Sequence, residues 1–440
     1  MWQRVGVSTI AAAVTYRRLF GVRGFRRLGG ATLVARTAAM MQGLVLVLFV
    51  LQRFHSPPLA GLVVFASLVP GILLSPVAGA LLDRHRRMLL IRLDYALAAV
   101  ALGAIAGLDA AGHLPVAALL VIVSLGSLTN PLSNSGTRSL FPIMIPRALW
   151  ERANAVDSGF YVVAAIAGPA LAGVLFGLLG AEAALLATAS LYLAGLLMLA
   201  GMAEPLIDRV APGSLLGDAW AGLRYVVRHR ELRGLAVATA VSNISFGVIS
   251  VGMPVLLLTR YHDGDAIVGL MWAVMGLAGL TSGFIAGRLD SEHREVWFIV
   301  VGCAVGSVAM AGLVAASAVG GGVIAVAAGM AGFGIANGPF DIGLFSLRQR
   351  VTAPAWMGRA FAVSMSLNYI GVPLGSAIAG PIVEHSLPAA FGIAVLADVV
   401  AGVAAVIMLR RRPGASHGDG GPLVDGEVHG RGRRSPLAAE

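Results

Sequence analysis

Seven polar or ionisable residues stand within otherwise apolar stretches of this 440-residue chain: Arg36, Asn130, Asn134, Asn243, Asn337, Asp341 and Asp398. Asn130 and Asn134 are four apart, as are Asn337 and Asp341, so each pair shares one face if its segment is helical. A second concentration of charge, Gly79-Ala-Leu-Leu-Asp83-Arg84-His85-Arg86-Arg87, sits between two apolar runs. The chemistry open to such groups is non-covalent: ion pairing, hydrogen bonding to a solute, and carriage of a proton on a carboxyl. Covalent catalysis lacks its parts. No His, Asp or Cys cluster has metal-ligand spacing, no nucleophile has a plausible base, and no Gly-rich loop is followed by Lys, because the chain has no lysine. Neither enzymatic activity, nor a metal, nor a cofactor is expected. Cys303 is the only cysteine and cannot form an intrachain disulfide.

The elements that must position these residues follow from composition. Hydrophobic residues make up 58% of the chain, charged residues only 12%, and the mean hydropathy is +0.84. Such a chain cannot coat a water-soluble globule, so it belongs in a bilayer. Apolar runs of spanning length predict twelve helices, at 28–51, 59–82, 89–108, 114–139, 155–178, 182–203, 234–258, 265–287, 296–317, 321–346, 359–383 and 387–409. The fold class expected is an all-α polytopic membrane protein. All 32 basic residues are arginines, and all but Arg36, Arg53 and Arg260 fall on the side that holds both termini, so the positive-inside bias places both ends in the cytoplasm. Nucleic acid is a poor partner for this charge, since no soluble basic domain exists to bind it.

Residues 1–27 read as a retained cytoplasmic basic arm, because Arg17 and Arg18 interrupt any signal-peptide core. Residues 28–203 and 234–409 read as two six-helix bundles. Between them, 204–233 is a cytoplasmic linker in which Leu216, Trp220, Leu223 and Val227 share a helical face suited to lying on the inner leaflet, and a soluble amphipathic linker is the other reading. The Gly-, Arg- and Pro-rich tail, 410–440, is expected to be disordered. An internal repeat supports the bundles. At an offset near 207 residues Leu28, Ala31, Thr32 and Val34 recur as Leu235, Ala238, Thr239 and Val241, Asn130 recurs as Asn337, and Gly79 and Asp83 recur approximately as Gly287 and Asp290. The same offset relates Arg36 to Asn243 and Asn134 to Asp341, placing the set around a pseudo-twofold axis. Two six-helix repeats are the arrangement of an alternating-access transporter.

The charged turn from Gly79 to Arg87 resembles the loop 2-3 signature of the major facilitator superfamily, with His85 in place of its second glycine. "GRLDSEHR", from Gly287 through Asp290 to Arg294, is similar to a degenerate copy of it. Gly168-Pro169-Ala-Leu-Ala172-Gly173 resembles the helix-5 element of antiporters in that superfamily, with Ala172 replacing a glycine. "RSLFPIMIP", "ERANAV" and "GLRYVVRHRELR" are similar to the branch of enterobactin-type and macrolide-type exporters.

The resemblance implies the major facilitator fold, with helices 1, 4, 7 and 10 lining a central cavity. Arg36, Asn130, Asn134, Asn243, Asn337 and Asp341 then become candidates for contact with substrate or proton, and Arg36 and Asp341 could offset one another's charge. It implies a gating role for Asp83, whose carboxylate would meet the N-terminus of helix 11 near Arg359 in one orientation of the halves, with Gly79, Arg84, Arg86, Arg87, Gly287 and Asp290 completing the motif. Pro131 and Pro339 are expected to kink helices 4 and 10. Ala39 stands near the place of the helix-1 acid of related exporters, leaving Asp341 as the best remaining proton carrier. The activity implied is proton-driven efflux of small lipophilic molecules from a monomer in the plasma membrane. An importer or facilitator, or a transport-inactive sensor, is the alternative.

Overall fold

In a hydrocarbon solvent every backbone N–H and C=O must be satisfied internally, so long apolar runs have little choice but helix. The computed structural model describes residues 15–202, 204, 215–262, 264–353 and 356–409, and every regular element among them is helical. The expected disordered tail and the first half of the expected basic arm lie outside the described residues. A short helix, α1 (Tyr16–Gly21), precedes α2 (Phe25–Phe54), α3 (Pro57–Arg84) and α4 (Arg87–Ala110). The fourth crossing is two helices, α5 (Val116–Ser127) and α6 (Asn130–Met144). One continuous assignment, α7 (Trp150–Leu199), holds the fifth and sixth. The connecting α8 (Leu215–Arg228) leads to α9 (Arg230–Val255) with its terminal π-turn, then α10 (Asp265–Ala286), α11 (Glu295–Val319) and α12 (Gly322–Val351). The eleventh crossing is again divided, into α13 (Met357–Tyr369) and α14 (Gly371–His385), and α15 (Leu387–Leu409) is the twelfth.

Eleven described helical stretches are long and apolar enough to span a membrane, but one of them, Arg147–Leu199, is 53 residues long. At 1.5 Å per residue it would measure about 80 Å, far beyond a hydrocarbon core of about 30 Å. It turns back at Gly180, whose φ of 84° a side chain would disfavour. The chain therefore crosses twelve times. Large apolar side chains such as Leu197, Val308 and Ile407 remain well exposed on the outer surface, where lipid would cover them. The repeat survives in detail: Thr32 Oγ1 donates to the Leu28 carbonyl at 2.8 Å, and Thr239 Oγ1 donates to that of Leu235 at 2.7 Å.

The two prolines differ in what they do to the helix assignment. Pro131 has no N–H for the Ser127 carbonyl four residues earlier, and the fourth crossing breaks at Leu128 and Thr129. Pro339, by contrast, lies inside α12, which continues as one helix. A break not anticipated from the sequence divides the eleventh crossing at Ile370, where Pro373 likewise deprives the Tyr369 carbonyl of its donor.

The first six crossings meet the last six along two lines. At one, α7 packs on α10: a Cβ added at Gly173 would lie 2.6 Å from the Asp265 carbonyl oxygen and 2.7 Å from the Gly269 nitrogen. At the other, α3 packs on α14, where Gly380 approaches the Pro57 carbonyl and Ser376 Oγ donates to the Gly61 carbonyl at 3.3 Å. These backbone approaches lie towards the face opposite the α3–α4 and α10–α11 turns, that is, away from the arginine-rich face. Deeper along the α3 line the Ser75 and Ser366 hydroxyls are 3.1 Å apart.

Candidate transport site

The first six crossings hold a polar cavity of about 30 Å³. Arg36 reaches it from α2, Asn130, Ser133, Asn134 and Thr137 from α6, Tyr95 from α4 and Tyr192 from α7, with Ala39 also on its wall. The break at Leu128 starts a new helix at Asn130, and the four-residue spacing then aims Asn130 and Asn134 the same way. Three residues of the sequence-derived set are thus brought together. Arg36 is not paired with Asp341 as expected. Its Nη1 lies 2.7 Å from Asp157 Oδ1 and donates to the Asp157 main-chain carbonyl at 2.9 Å. Both side chains are mostly buried, and Arg138 adds a longer contact of 3.9 Å to the same carboxylate. The reason is proximity: α2 packs along α7 within the same six crossings, so a cation on α2 finds its counter-ion there without crossing the seam.

The last six crossings distribute the other three candidates differently. Asn243 is not among the residues lining the 30 Å³ cavity; its Nδ2 donates to the Asn368 carbonyl at 2.9 Å. That carbonyl lies beside the break of the eleventh crossing, so Asn243 does the structural work of satisfying freed backbone. Asn337 and Asp341 sit on α12 and are not among the residues lining the 30 Å³ cavity. Asp341 is exposed, and Arg348 lies within its electrostatic reach, two turns on along α12. Arg348 is itself almost completely buried; with the Asn368 amide oriented to satisfy both groups, Arg348 Nη2 donates to its oxygen at 2.5 Å. Across the seam Tyr161 of α7 faces Tyr369 of α13, and both Arg138 and Asp341 act electrostatically on the Tyr369 hydroxyl. Tyr161, Tyr369, Arg138 and Asp341 therefore surround the space between the two sets of crossings.

Comparison with known proteins fixes the family. The profile of the Major Facilitator Superfamily matches residues 28–376. A Sinorhizobium fredii protein described as "Uncharacterized MFS-type transporter y4rN" is 36% identical over 89% of this chain and 96% of its own length. The chain belongs to the major facilitator superfamily. More distantly, the "Multidrug efflux pump Tap" of Mycolicibacterium fortuitum is 28% identical over 86% of this chain and 94% of that pump. Among solved structures the nucleoside transporter NupG superposes with a TM-score of 0.70 at 12% identity, covering 89% of this chain and all of that one. A bacterial homologue of the iron transporter ferroportin, in an inward-facing state, superposes with a TM-score of 0.67 at 16% identity, covering 88% of this chain and 99% of that one. At these identities the structural likeness establishes the fold alone.

A superfamily member is a transporter and not an enzyme, and the remaining sequence motifs can be placed in that light. Gly79 lies in the last turns of α3 with open space beside it, Arg84 and Arg86 lie exposed at the α3–α4 turn, and Arg87 begins α4. Asp83 is helical, but its side chain and those of Met357 to Ala362, Arg359 included, lie outside the described residues. In the degenerate copy, Gly287 ends α10 and Asp290 Oδ1 accepts from the Glu292 N–H at 2.9 Å. Arg350 then joins this turn to α12, 3.3 Å from Glu292 and 3.0 Å from the buried Glu295. In the helix-5 element, Gly168 packs on α2, where an added Cβ would meet Met40 Cβ at 2.5 Å, while Gly173 makes the seam with Gly269. Pro169 is buried, and its carbonyl faces Gly269. The element serves packing on two sides.

Sequence reasoning missed Asp157, Arg348, Tyr161 and Tyr369. It also missed Asp94, an α4 carboxyl only 1% exposed beside the Ser133 and Thr129 hydroxyls. Asp157 and Asp94 each lie within two turns of a predicted span end, where an acid reads as a loop residue.

Proposed function

We propose that this transporter exports small lipophilic molecules, such as drugs, siderophores or natural products, by alternating access driven by proton entry. The observation that carries this reading is the likeness to the multidrug efflux pump Tap along most of both chains. The arginine bias supports a plasma-membrane orientation with both termini in the cytoplasm, which makes the backbone contacts of α7 with α10 and of α3 with α14 an outer seal. Substrate then enters from the cytoplasmic side between Tyr161, Tyr369, Arg138 and Asp341.

Asp341 is the proposed proton carrier of the central space. It faces the crevice, and an ionised group within a membrane costs about 2.5–3.5 kcal/mol on insertion scales, so neutralising it favours passage through an occluded state. Asp83 is the proposed inner latch, since a carboxylate at the end of α3 is suited to the N-terminus of α13 and would bias the two orientations by a few kcal/mol at most. A monomer suffices for this cycle.

The test is accumulation of a fluorescent dye in whole cells. Expression should lower dye content and a protonophore should restore it. Dye content that ignores the protonophore but follows sodium removes the proton from the mechanism, and a rise on expression makes the protein an importer. Asp341→Asn should abolish gradient-driven efflux while substrate binding persists; normal efflux by that variant would exclude Asp341.

A further inference from the structure

Asp94 is the one buried carboxyl of the first six crossings that the transport reading leaves without a task. It lies on α4 with 1% exposure, and its Oδ1 has no hydrogen-bond partner. The cations that could balance it are engaged. Arg36 of α2 is held by Asp157 at 2.7 Å, and Arg138 of α6 reaches the same carboxylate at 3.9 Å. Arg92, half a turn before Asp94 on its own helix, turns Nη2 to the carbonyls of Leu199 and Met202, the latter at 2.9 Å. Tyr192 of α7 and Tyr95 of α4 lie within its electrostatic reach but bring no positive charge, and the Tyr192 hydroxyl already donates to Gln42 Oε1 at 3.0 Å. α5 contributes no titratable side chain, and those of α3, Asp83 and Arg84, come only at its end. A carboxylate so enclosed and without a counter-charge is expensive in hydrocarbon, whereas the protonated acid is not.

Two further features connect this group to the cavity. Ser133 lies beside the Asp94 carboxyl and also lines the 30 Å³ cavity with Arg36, Asn130 and Asn134, so one hydroxyl stands between the acid and space enough for about one water. Thr129, the other hydroxyl neighbour, is the N-cap of α6 and makes no side-chain capping bond there. Pro131 has no N–H and the Leu132 N–H already donates to the Thr129 carbonyl at 2.8 Å, so the start of α6 meets Asp94 through the Thr129 and Ser133 hydroxyls.

We propose that Asp94 is a proton-exchange site, loaded from the Arg36 cavity through Ser133. Proton transfer is a simple exchange: the carboxylate takes the proton from cavity water by way of the Ser133 hydroxyl and returns it along the same route. The site deepens the proton-coupled reading but does not depend on the direction of transport or on Asp341.

Infrared difference spectroscopy of the purified full-length protein in lipid nanodiscs tests it, between alkaline and acidic buffer. The expected result is the carbonyl band of a protonated carboxyl that appears on acidification, persists in Asp341→Asn and disappears in Asp94→Asn. A band unchanged in Asp94→Asn overturns the proposal. In Ser133→Ala, which keeps the acid, the band should remain but its shift on transfer to heavy water should slow at least severalfold; an unchanged exchange rate overturns the route through Ser133. Should Asp94→Asn fail to fold, Asp94→Glu must shift the band in frequency, and an identical spectrum rejects the assignment. Protonophore-insensitive transport with the Asp94 band intact would sink the efflux coupling while leaving this site standing.

Discussion

Asp94 in the first six crossings and Asp398 in the last six are both 1% exposed, but they are held differently. Asp398 of α15 accepts a hydrogen bond from Ser242 Oγ at 2.8 Å, and its second oxygen lies against Gly306 of α11, where an added Cβ would stand 3.0 Å away. It is packed into continuous helices. Asp94 faces a broken helix and adjoins a polar cavity. One oxygen of each carboxyl lacks a hydrogen-bond partner, so what separates the two is the break and the polar path that adjoin Asp94, the features on which its proposed proton exchange rests. The wider charge pattern carries the same lesson. Arg36 is balanced by Asp157 within the first six crossings, and Asp341 has Arg348 on its own helix. A pair formed inside one set of helices, such as Arg36–Asp157, would survive a rocking of the two sets, whereas an Arg36–Asp341 pair would have to be remade in every cycle.

The comparison breaks most sharply at Arg36. Arg36→Ala strands the Asp157 carboxylate, and losing one partner of a buried pair costs about 3–5 kcal/mol. A large fall in thermal midpoint is expected, partly recovered in Arg36→Ala with Asp157→Asn; an unchanged midpoint would mean the pair is not internal to the first six crossings. Next in size is the seam. Gly173→Val should overpack α7 against α10 by about 1–3 kcal/mol and lower disulfide crosslinking between cysteines placed on those helices. An undiminished crosslinking yield would contradict the outer seal. Asp398→Asn sharpens the contrast with Asp94: the amide can still accept from Ser242, so stability should change by about 1 kcal/mol or less and the pH profile of transport should stay fixed. A shifted profile would make Asp398 a proton site too. Comparable in size is Trp356→Ala, which removes the stack on Tyr225 of α8 (ring centroids 4.7 Å apart) and should cost about 0.5–1.5 kcal/mol in a melting experiment beyond the loss of buried area.

The linker shows where sequence periodicity reaches its limit. Trp220 and Val227 of α8 are exposed, as an interfacial face requires, yet Val226 and Tyr225 turn the other side of the helix onto α13 and Trp356. Reading one apolar stripe could not reveal the second, because the second is apolar only through Val226 and the ring faces of Tyr225. The same holds for Tyr161 and Tyr369, which look like ordinary helix residues until α7 and α13 bring them face to face.

The sequence by itself determined the twelve crossings, the repeat and the arginine-rich face, because those depend on local runs of apolar side chains and on charge counts at their ends. The charged turn after α3 and the helix-5 glycines were readable for a similar reason: their spacing is contained in single short segments. Only tertiary structure decided that Arg36 belongs to Asp157, that Asn243 mends the eleventh crossing, and that Asp94 looks onto the break of the fourth. Each of these depends on which helix lies beside which. In lipid, where apolar faces are nearly interchangeable, neighbours are chosen by close backbone packing and by polar groups seeking partners many residues away.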